Sequence, residues 1–152
     1  MTDIFTKDTR SWIMSRIRSK NTSIEIAMMG MLSTSGFSYV AHPKITGSPD
    51  FVVDGNIALF CDGDFWHGYR YRQRKNPGKA YWRKKILGNI ARDKSTSRRL
   101  RLQGWSVLRI WEHDIKNNPD KCVRKIKRKV LEKSKPSGSR INRISSGRGQ
   151  IR

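Results

Sequence analysis

Acidic residues, cysteines and long apolar runs are all scarce in this sequence of 152 residues. Twelve Asp and Glu stand against thirty-three Lys and Arg, which gives a formal net charge of +21. A field of this sign attracts polyanions, and nucleic acid is the simplest such partner. No apolar run approaches the roughly eighteen residues of a membrane span, and no signal-peptide pattern occurs. We therefore expect a cytoplasmic, nucleoid-associated protein with no membrane role.

The cysteine count excludes two further classes of protein. Cys61 and Cys122 are the only cysteines, so neither a disulfide framework nor a four-thiolate zinc site can be built. The chain length allows one domain with a modest core. We expect that domain in residues 1–132 of a monomer, followed by a basic tail of Ser, Gly, Lys and Arg in residues 133–152.

Hydrophobic periodicity and turn signals predict an α/β protein. Helices are expected over residues 8–20, 23–36, 79–103 and 119–132, the second of them opened by the capping box Thr22 to Glu25. Strands are expected over residues 38–42, 50–54, 57–62 and 105–111. The first three strands would form an antiparallel meander, and the last would join in parallel after a crossover helix. The prediction is a mixed four-stranded sheet flanked by helices.

Three of the twelve acidic residues, Asp50, Asp62 and Asp64, cluster at or beyond the ends of predicted strands. A two-residue loop at Gly55-Asn56 would place Asp50 opposite Cys61 and next to Asp62. Strict alternation would send the Asp50 and Asp62 side chains to opposite faces, so a bulge, a strand end or the Cys61 carbonyl must complete any shared site. Oxygen ligands of this kind suit Mg²⁺ and phosphodiester hydrolysis. The alternative is ordinary turn and loop polarity.

Two other residues could assist such chemistry. His67, beyond the third strand, could act as a general base or acid, although a single histidine more often serves packing. Glu25 could reach the metal or its water, yet the capping box alone explains its presence. Both interpretations stay open for each residue.

Aromatic and basic residues alternate after the third strand. Phe65 and Trp66, with Trp82 further on, could act as wedges or base-stacking surfaces, or could pack in the core. The basic residues expected to contact DNA phosphates are Arg16, Arg18, Arg70, Arg72, Lys84 and Lys85.

Taken together, the motifs resemble the very-short-patch-repair (Vsr-type) endonuclease family. The matching segments are residues 10–17, 22–25, 47–50, 63–68, 81–86 and 104–112. A Phe-Trp-His loop between an aspartate strand and a Gly-Trp strand is the most specific of them. The resemblance implies a type II restriction endonuclease-like core. It also implies Mg²⁺-dependent nicking, with one or two ions, of double-stranded DNA beside a T:G mispair.

The resemblance also assigns roles to single residues. It implies that Asp50 binds the metal, that His67 is a catalytic histidine, and that Glu25 lies near the metal's water. Aromatic insertion at the mispair would fall on Phe65, Trp66 and Trp82. Asp62 stands where some members have a second histidine. We therefore expect Asp50, Asp62 and the Cys61 backbone to hold the metal.

The loop also departs from members that hold a structural zinc. The corresponding positions are Asp64, Tyr69, Tyr71 and His113, so a zinc site is not expected. We hypothesise instead a buried Asp64–His113 ion pair. The leading functional hypothesis is a mismatch-nicking endonuclease. A nuclease of the same fold with another DNA target, and a non-catalytic architectural DNA-binding protein, are the alternatives.

Overall fold

Helices and strands follow one another in nearly the predicted order. A computed structural model describes residues 6–9, 11, 20–73 and 80–134. Its elements are α1 (Ser23–Thr34), β1 (Tyr39–Ala41), β2 (Phe51–Val53), β3 (Ile57–Asp62), a 3-10 helix (Tyr71–Gln73), α2 (Ala80–Leu102), β4 (Ser106–Trp111), α3 (Glu112–Asn117) and α4 (Pro119–Ser134). Arg16 and Arg18, most of the predicted first helix and nearly all of the predicted tail lie outside the described residues.

The four strands form one mixed sheet in the order β1-β2-β3-β4. The first two pairings are antiparallel, and β3 and β4 run parallel with Asp62 beside Trp111. Helix α2 connects β3 to β4, as a parallel crossover requires. The predicted fold class is therefore confirmed, and it is consistent with a restriction endonuclease-like core.

Apolar side chains cover both faces of β3, every residue of which is buried. On one face Phe51, Leu59 and Ile110 pack with residues of α1 and α4 in the larger core. On the other face Ala58, Phe60 and Val107 pack against Leu100 of α2. A strand covered on both sides reads as a continuous apolar run, which is why β3 was recognisable from sequence.

The turn between β2 and β3 differs from the prediction. Val53 pairs with Ile57, so the loop has three residues, and Asp54 and Gly55 adopt positive φ angles of 47° and 73°. Asp50 therefore lies opposite Phe60 instead of Cys61. A one-residue shift reverses the alternation argument, because Asp50 and Asp62 then fall on the same side of a regular pleat.

Two helices also differ from expectation. Helix α3 was not predicted, because six residues are too few to show a helical period. Helix α4 ends at Ser134, slightly beyond the predicted end. Among the described residues, no helix is both long and apolar enough to cross a membrane.

Candidate active site

A cavity of about 570 Å³ opens where β2 and β3 approach α1 and α2. Its lining contains five carboxylates against two guanidinium groups and one imidazole: Glu25, Asp50, Asp62, Asp93, Glu112, Arg92, Arg109 and His67. Because carboxylates outnumber the two guanidinium groups, this lining would repel a phosphate unless further cations were bound. The cavity therefore has the electrostatic character of a cation-assisted site.

Asp50 directly precedes β2, and it lines this cavity. Its Oδ2 accepts a hydrogen bond of 2.7 Å from the Cys61 backbone N–H, so the two positions are neighbours although they are not paired in the ladder. The net pKa of Asp50 is raised to about 6: burial is the main cause, the Cys61 hydrogen bond opposes it, and the charges of Glu25 and Asp62 add to the rise. An ionised Asp50 is thus a costly group that a bound cation would stabilise.

Glu25 both caps α1 and lines the cavity. Its Oε2 accepts from the Asn21 backbone N–H at 2.8 Å, and its Oε1 accepts from the Thr22 hydroxyl at 3.0 Å. His42 Nε2 lies 3.5 Å from Oε2. The capping interpretation is confirmed, and the same bonds hold the buried carboxylate at the edge of the site.

His67 forms a pair with Asp93, a residue that the sequence analysis missed. His67 Nδ1 and Asp93 Oδ2 lie 2.6 Å apart, and Asp62 Oδ1 lies 3.8 Å from the same nitrogen. Burial lowers the pKa of His67, but the Asp93 hydrogen bond and the two carboxylate charges outweigh it and the net shift is upward. A signal existed, because Asp93 is the only acidic residue in the otherwise basic segment that forms α2.

Asp62 is held by Arg109, which was also missed. Arg109 Nη1 donates to both Asp62 oxygens, at 2.8 and 3.0 Å. Burial raises the pKa of Asp62, and the guanidinium and His67 offset only part of that effect. The available signal was a charged residue inside the apolar strand β4.

Among the described residues, one group has the spacing of a metal site, and Asp50 lies in the same cavity. Ligand atoms of Asp62, His67 and Asp93 lie within 4.8 Å of one another, so these three residues could hold a metal. Asp50 offers a second carboxylate with Oδ1 unbonded among the described residues. The Cys61 side chain belongs to the larger core, and burial keeps its thiol pKa far above the ordinary value. Only the backbone of Cys61 can therefore serve a metal here.

Comparison with known proteins agrees with this geometry. Residues 2–73 match the family model described as DNA mismatch endonuclease Vsr. A type II nicking enzyme of Neisseria meningitidis serogroup C, V.NmeDIP, is 35% identical over 136 residues, which cover 86% of this chain and 92% of the relative. The DNA mismatch endonuclease Vsr of Escherichia coli is 36% identical over 116 residues, 74% of each chain. This chain belongs to the Vsr family. The expectation of an endonuclease is thereby confirmed at the level of the family.

In this Vsr-family member, the loop of residues 63–68 packs tightly against α2. Gly68 has φ +70°, and a Cβ there would lie 2.6 Å from Ile90 Cδ1, so the loop approaches the helix as only glycine permits. Asn89 Nδ2 donates to the Trp66 carbonyl at 2.9 Å. These contacts hold His67 beside Asp93.

Aromatic rings form an outer cluster beside the cavity. The centroid distances are 5.0 Å for Phe65–Trp66, 5.6 Å for Trp66–Trp82 and 6.1 Å for Phe65–Trp82. Phe65 is 44% exposed, and Lys85 Nζ lies 5.1 Å from the Trp66 ring centroid. Trp82 thus packs with other rings at the surface and takes no part in either buried core cluster.

The proposed Asp64–His113 pair is present. His113 Nδ1 and Asp64 Oδ1 lie 2.9 Å apart, and the Tyr69 ring packs at a tilt against the His113 ring with centroids 4.3 Å apart. The pair is only half-buried, which differs from the buried pair that was predicted. It links the loop to the start of α3.

We predict that Asp50→Asn stabilises the metal-free protein above pH 6. Because the folded-state pKa of Asp50 is raised to about 6, ionisation at higher pH destabilises the fold; this cost shrinks as the pH falls below that value and vanishes only below the ordinary pKa of 3.8. The gain at pH 8 should be about 1–2 kcal/mol, less than the full pKa shift would supply because the carboxylate is partly screened. Thermal unfolding in EDTA at pH 5 and pH 8 measures it.

The matched control for this prediction is Asp54→Asn. Asn also suits the left-handed backbone at that turn position, which lies outside the cavity lining. Equal stability of Asp50→Asn and wild type at both pH values would show that Asp50 is not held in an unfavourable charged state.

Asp93→Asn is expected to lower the pKa of His67. The substitution keeps the shape of the side chain and removes the charge that favours the imidazolium. A raised histidine pKa stabilises the fold below the ordinary pKa, and this contribution is lost as pH rises through the folded-state pKa. The variant should therefore be less stable than wild type at pH 5, with a smaller difference at pH 9.

The measurement is an NMR titration of the imidazoles, which is simple because the chain has three histidines. His42 and His113 are internal controls, since their described partners are Asn21, Glu25, Asp64 and Asp114. An unchanged His67 titration would contradict the pairing.

Proposed function

We propose that this protein is an Mg²⁺-dependent endonuclease that nicks one strand of duplex DNA beside a T:G mispair, as in very short patch repair. The observation that carries the proposal is a single cavity lined by both the buried Asp50 carboxylate and the His67–Asp93 pair. The partly exposed aromatic cluster lies directly beside it. Membership of the Vsr family supports it, as do relatives named as a mismatch endonuclease and as nicking enzymes.

In this proposal Asp50, Asp62 and the Cys61 carbonyl hold Mg²⁺. When bound, the ion would polarise the phosphodiester and offset the negative charge that develops during hydrolysis. Carboxylate and carbonyl oxygens are the donors that this hard cation prefers. Asp50 meets this need best, because it is buried, close to other carboxylates and hydrogen-bonded through only one described contact.

His67 would transfer a proton during the reaction. Asp93 bonds its Nδ1, which leaves Nε2 as the nitrogen that faces the reacting groups. Because the pKa of His67 is raised, the imidazolium is favoured, and it suits the protonation of the departing oxygen. Glu25, fixed by its capping hydrogen bonds, would orient the attacking water.

The aromatic cluster would contact the mispair, and nearby cations would bind phosphates. Unstacking of DNA bases is least costly at a mispair, and Phe65, Trp66 and Trp82 would offer ring faces and edges to the bases there. The proposed phosphate-binding residues are Arg70, Arg72, Lys84, Lys85 and, outside the described residues, Arg16 and Arg18. We place the endonuclease domain in residues 1–132, with the basic tail of residues 133–152 adding sequence-independent affinity.

The deciding experiment is strand-specific cleavage of an end-labelled T:G duplex and its T:A control, with Mg²⁺ or EDTA. We expect a single nick on the T-containing strand of the T:G duplex only, lost in EDTA and reduced at least about 10³-fold in Asp50→Ala while DNA binding persists. Equal cutting of both duplexes would instead indicate a nuclease with another target. Tight binding without any cutting would indicate an architectural protein.

We also predict that Trp66→Ala weakens selection of the mispair more than general DNA binding. A wedge is stabilised only where stacking is already poor, so the affinity ratio of T:G to T:A duplex should fall by about 5- to 30-fold. Tyr81→Ala is the matched control, because Tyr81 contacts Trp82 and is not one of the three proposed wedge residues. Equal loss on both duplexes in the Trp66 variant would contradict the wedge role.

A further inference from the structure

Arg109 is fixed on several sides inside the cavity. It lies opposite Phe60 in the parallel ladder, and its guanidinium carbon is 4.1 Å from the Phe60 ring centroid. Its Nε donates to the Ser97 hydroxyl at 3.1 Å, and its Nη1 donates to Asp62 and lies 3.4 Å from Asp93. The side chain has therefore lost most of its rotational freedom before any ligand arrives.

One edge of this guanidinium remains available. No hydrogen bond joins Nη2 to any residue in the described part of the chain, and the Arg109 side chain is 21% exposed into the cavity. A guanidinium presents its donors in a planar fork that matches phosphate oxygens. Its immobilisation means that a second acceptor could be bound with little further loss of entropy.

We propose that Arg109 binds a non-bridging oxygen of the phosphodiester that is cut, and that Asp62 positions Arg109 in addition to its proposed contact with the metal. This inference rests on the proposed function and adds a substrate-contacting residue to it. Five carboxylates line the cavity, so a phosphate entering it needs a cation at a defined position. A preorganised guanidinium supplies positive charge at the place where negative charge develops on the phosphate during hydrolysis.

A purely structural ion pair would require less of Arg109. Neutralising Asp62 needs one cation, which a lysine could supply, whereas the Ser97 bond and the Phe60 stack orient the guanidinium plane as well. The Arg109 side chain therefore has two separable functions, which are neutralising Asp62 and presenting a planar fork to the phosphate. Arg109→Lys keeps the charge beside Asp62 but removes the planar fork and Nη2.

The test measures binding to a series of T:G duplexes, each with one methylphosphonate at a phosphate near the mispair. Ca²⁺ replaces Mg²⁺, under conditions checked for absence of cutting. For wild type, we expect the neutral linkage at the cut position to weaken binding by about 10-fold or more, as for loss of a charge-assisted hydrogen bond. In Arg109→Lys this penalty should shrink to about 2-fold, whereas Arg128→Met, on the exposed side of α4, keeps the wild-type penalty.

Kinetics with Mg²⁺ provide the second readout. Arg109→Lys should lower kcat about 10²-fold with an unchanged Mg²⁺ midpoint, as for loss of one oxyanion-binding donor. Asp62→Asn should reduce kcat and the methylphosphonate penalty together if it positions Arg109. A shift of the Mg²⁺ midpoint in Asp62→Asn without a change in that penalty would overturn the positioning role.

Two results keep this inference separable from the proposed function. If wild type shows an Arg109-dependent penalty at one position of the duplex series but makes no Mg²⁺-dependent nick, the proposed nicking activity is contradicted. The contact between Arg109 and the phosphate at that position still stands. If wild type nicks and Arg109→Lys retains the full penalty and kcat, the phosphate contact fails alone. Should Arg109→Lys fail to fold, the double variant Asp62→Asn/Arg109→Met gives the comparison with wild type without an unpaired buried carboxylate.

Discussion

The concentration of buried carboxylates around the end of β3 is the constraint on which the rest of the site depends. Each carboxylate loses hydration there, and the charges of its neighbours add to that cost. The surrounding polar contacts offset it: a backbone N–H for Asp50, a guanidinium for Asp62 and an imidazole for Asp93. The result is a local acidic site, able to attract a metal cation, in a protein whose overall charge attracts DNA.

Parallel pairing of β3 with β4 decides which residues meet at this site. It places Arg109 beside Phe60 and next to Asp62, while the returning helix α2 contributes Asp93 and Ser97 above the same face. Close packing of Gly68 on α2 then holds the His67 loop within reach of Asp93. Arg109, the His67–Asp93 pair and the aromatic cluster are thus all supported by β3, β4 and α2.

The outer part of the loop is held by a different set of contacts. The Asp64 side chain bonds His113 and the Asp64 backbone N–H donates to Glu112, so the loop is tied to the start of the short helix α3. The Tyr69 ring packs in tilted contacts with the rings of His113 and Trp111. These half-buried polar and aromatic contacts connect the loop to the sheet, and their residues are not part of the buried core clusters.

Local patterns in the sequence were sufficient for the element order, the capping of α1, the mixed sheet and the grouping of Asp50 with the end of β3. Period, turn residues and capping chemistry act over a few residues, so sequence alone determines them. The three-residue turn, and with it the shared face of Asp50 and Asp62, depended on a backbone choice that Asp54-Gly55-Asn56 leaves open. The His67–Asp93 and Asp62–Arg109 pairs join residues 26 and 47 positions apart, and only the crossover through α2 brings them together. Desolvation and charge pairing in the assembled cavity, which no local pattern encodes, decided the chemistry of the site.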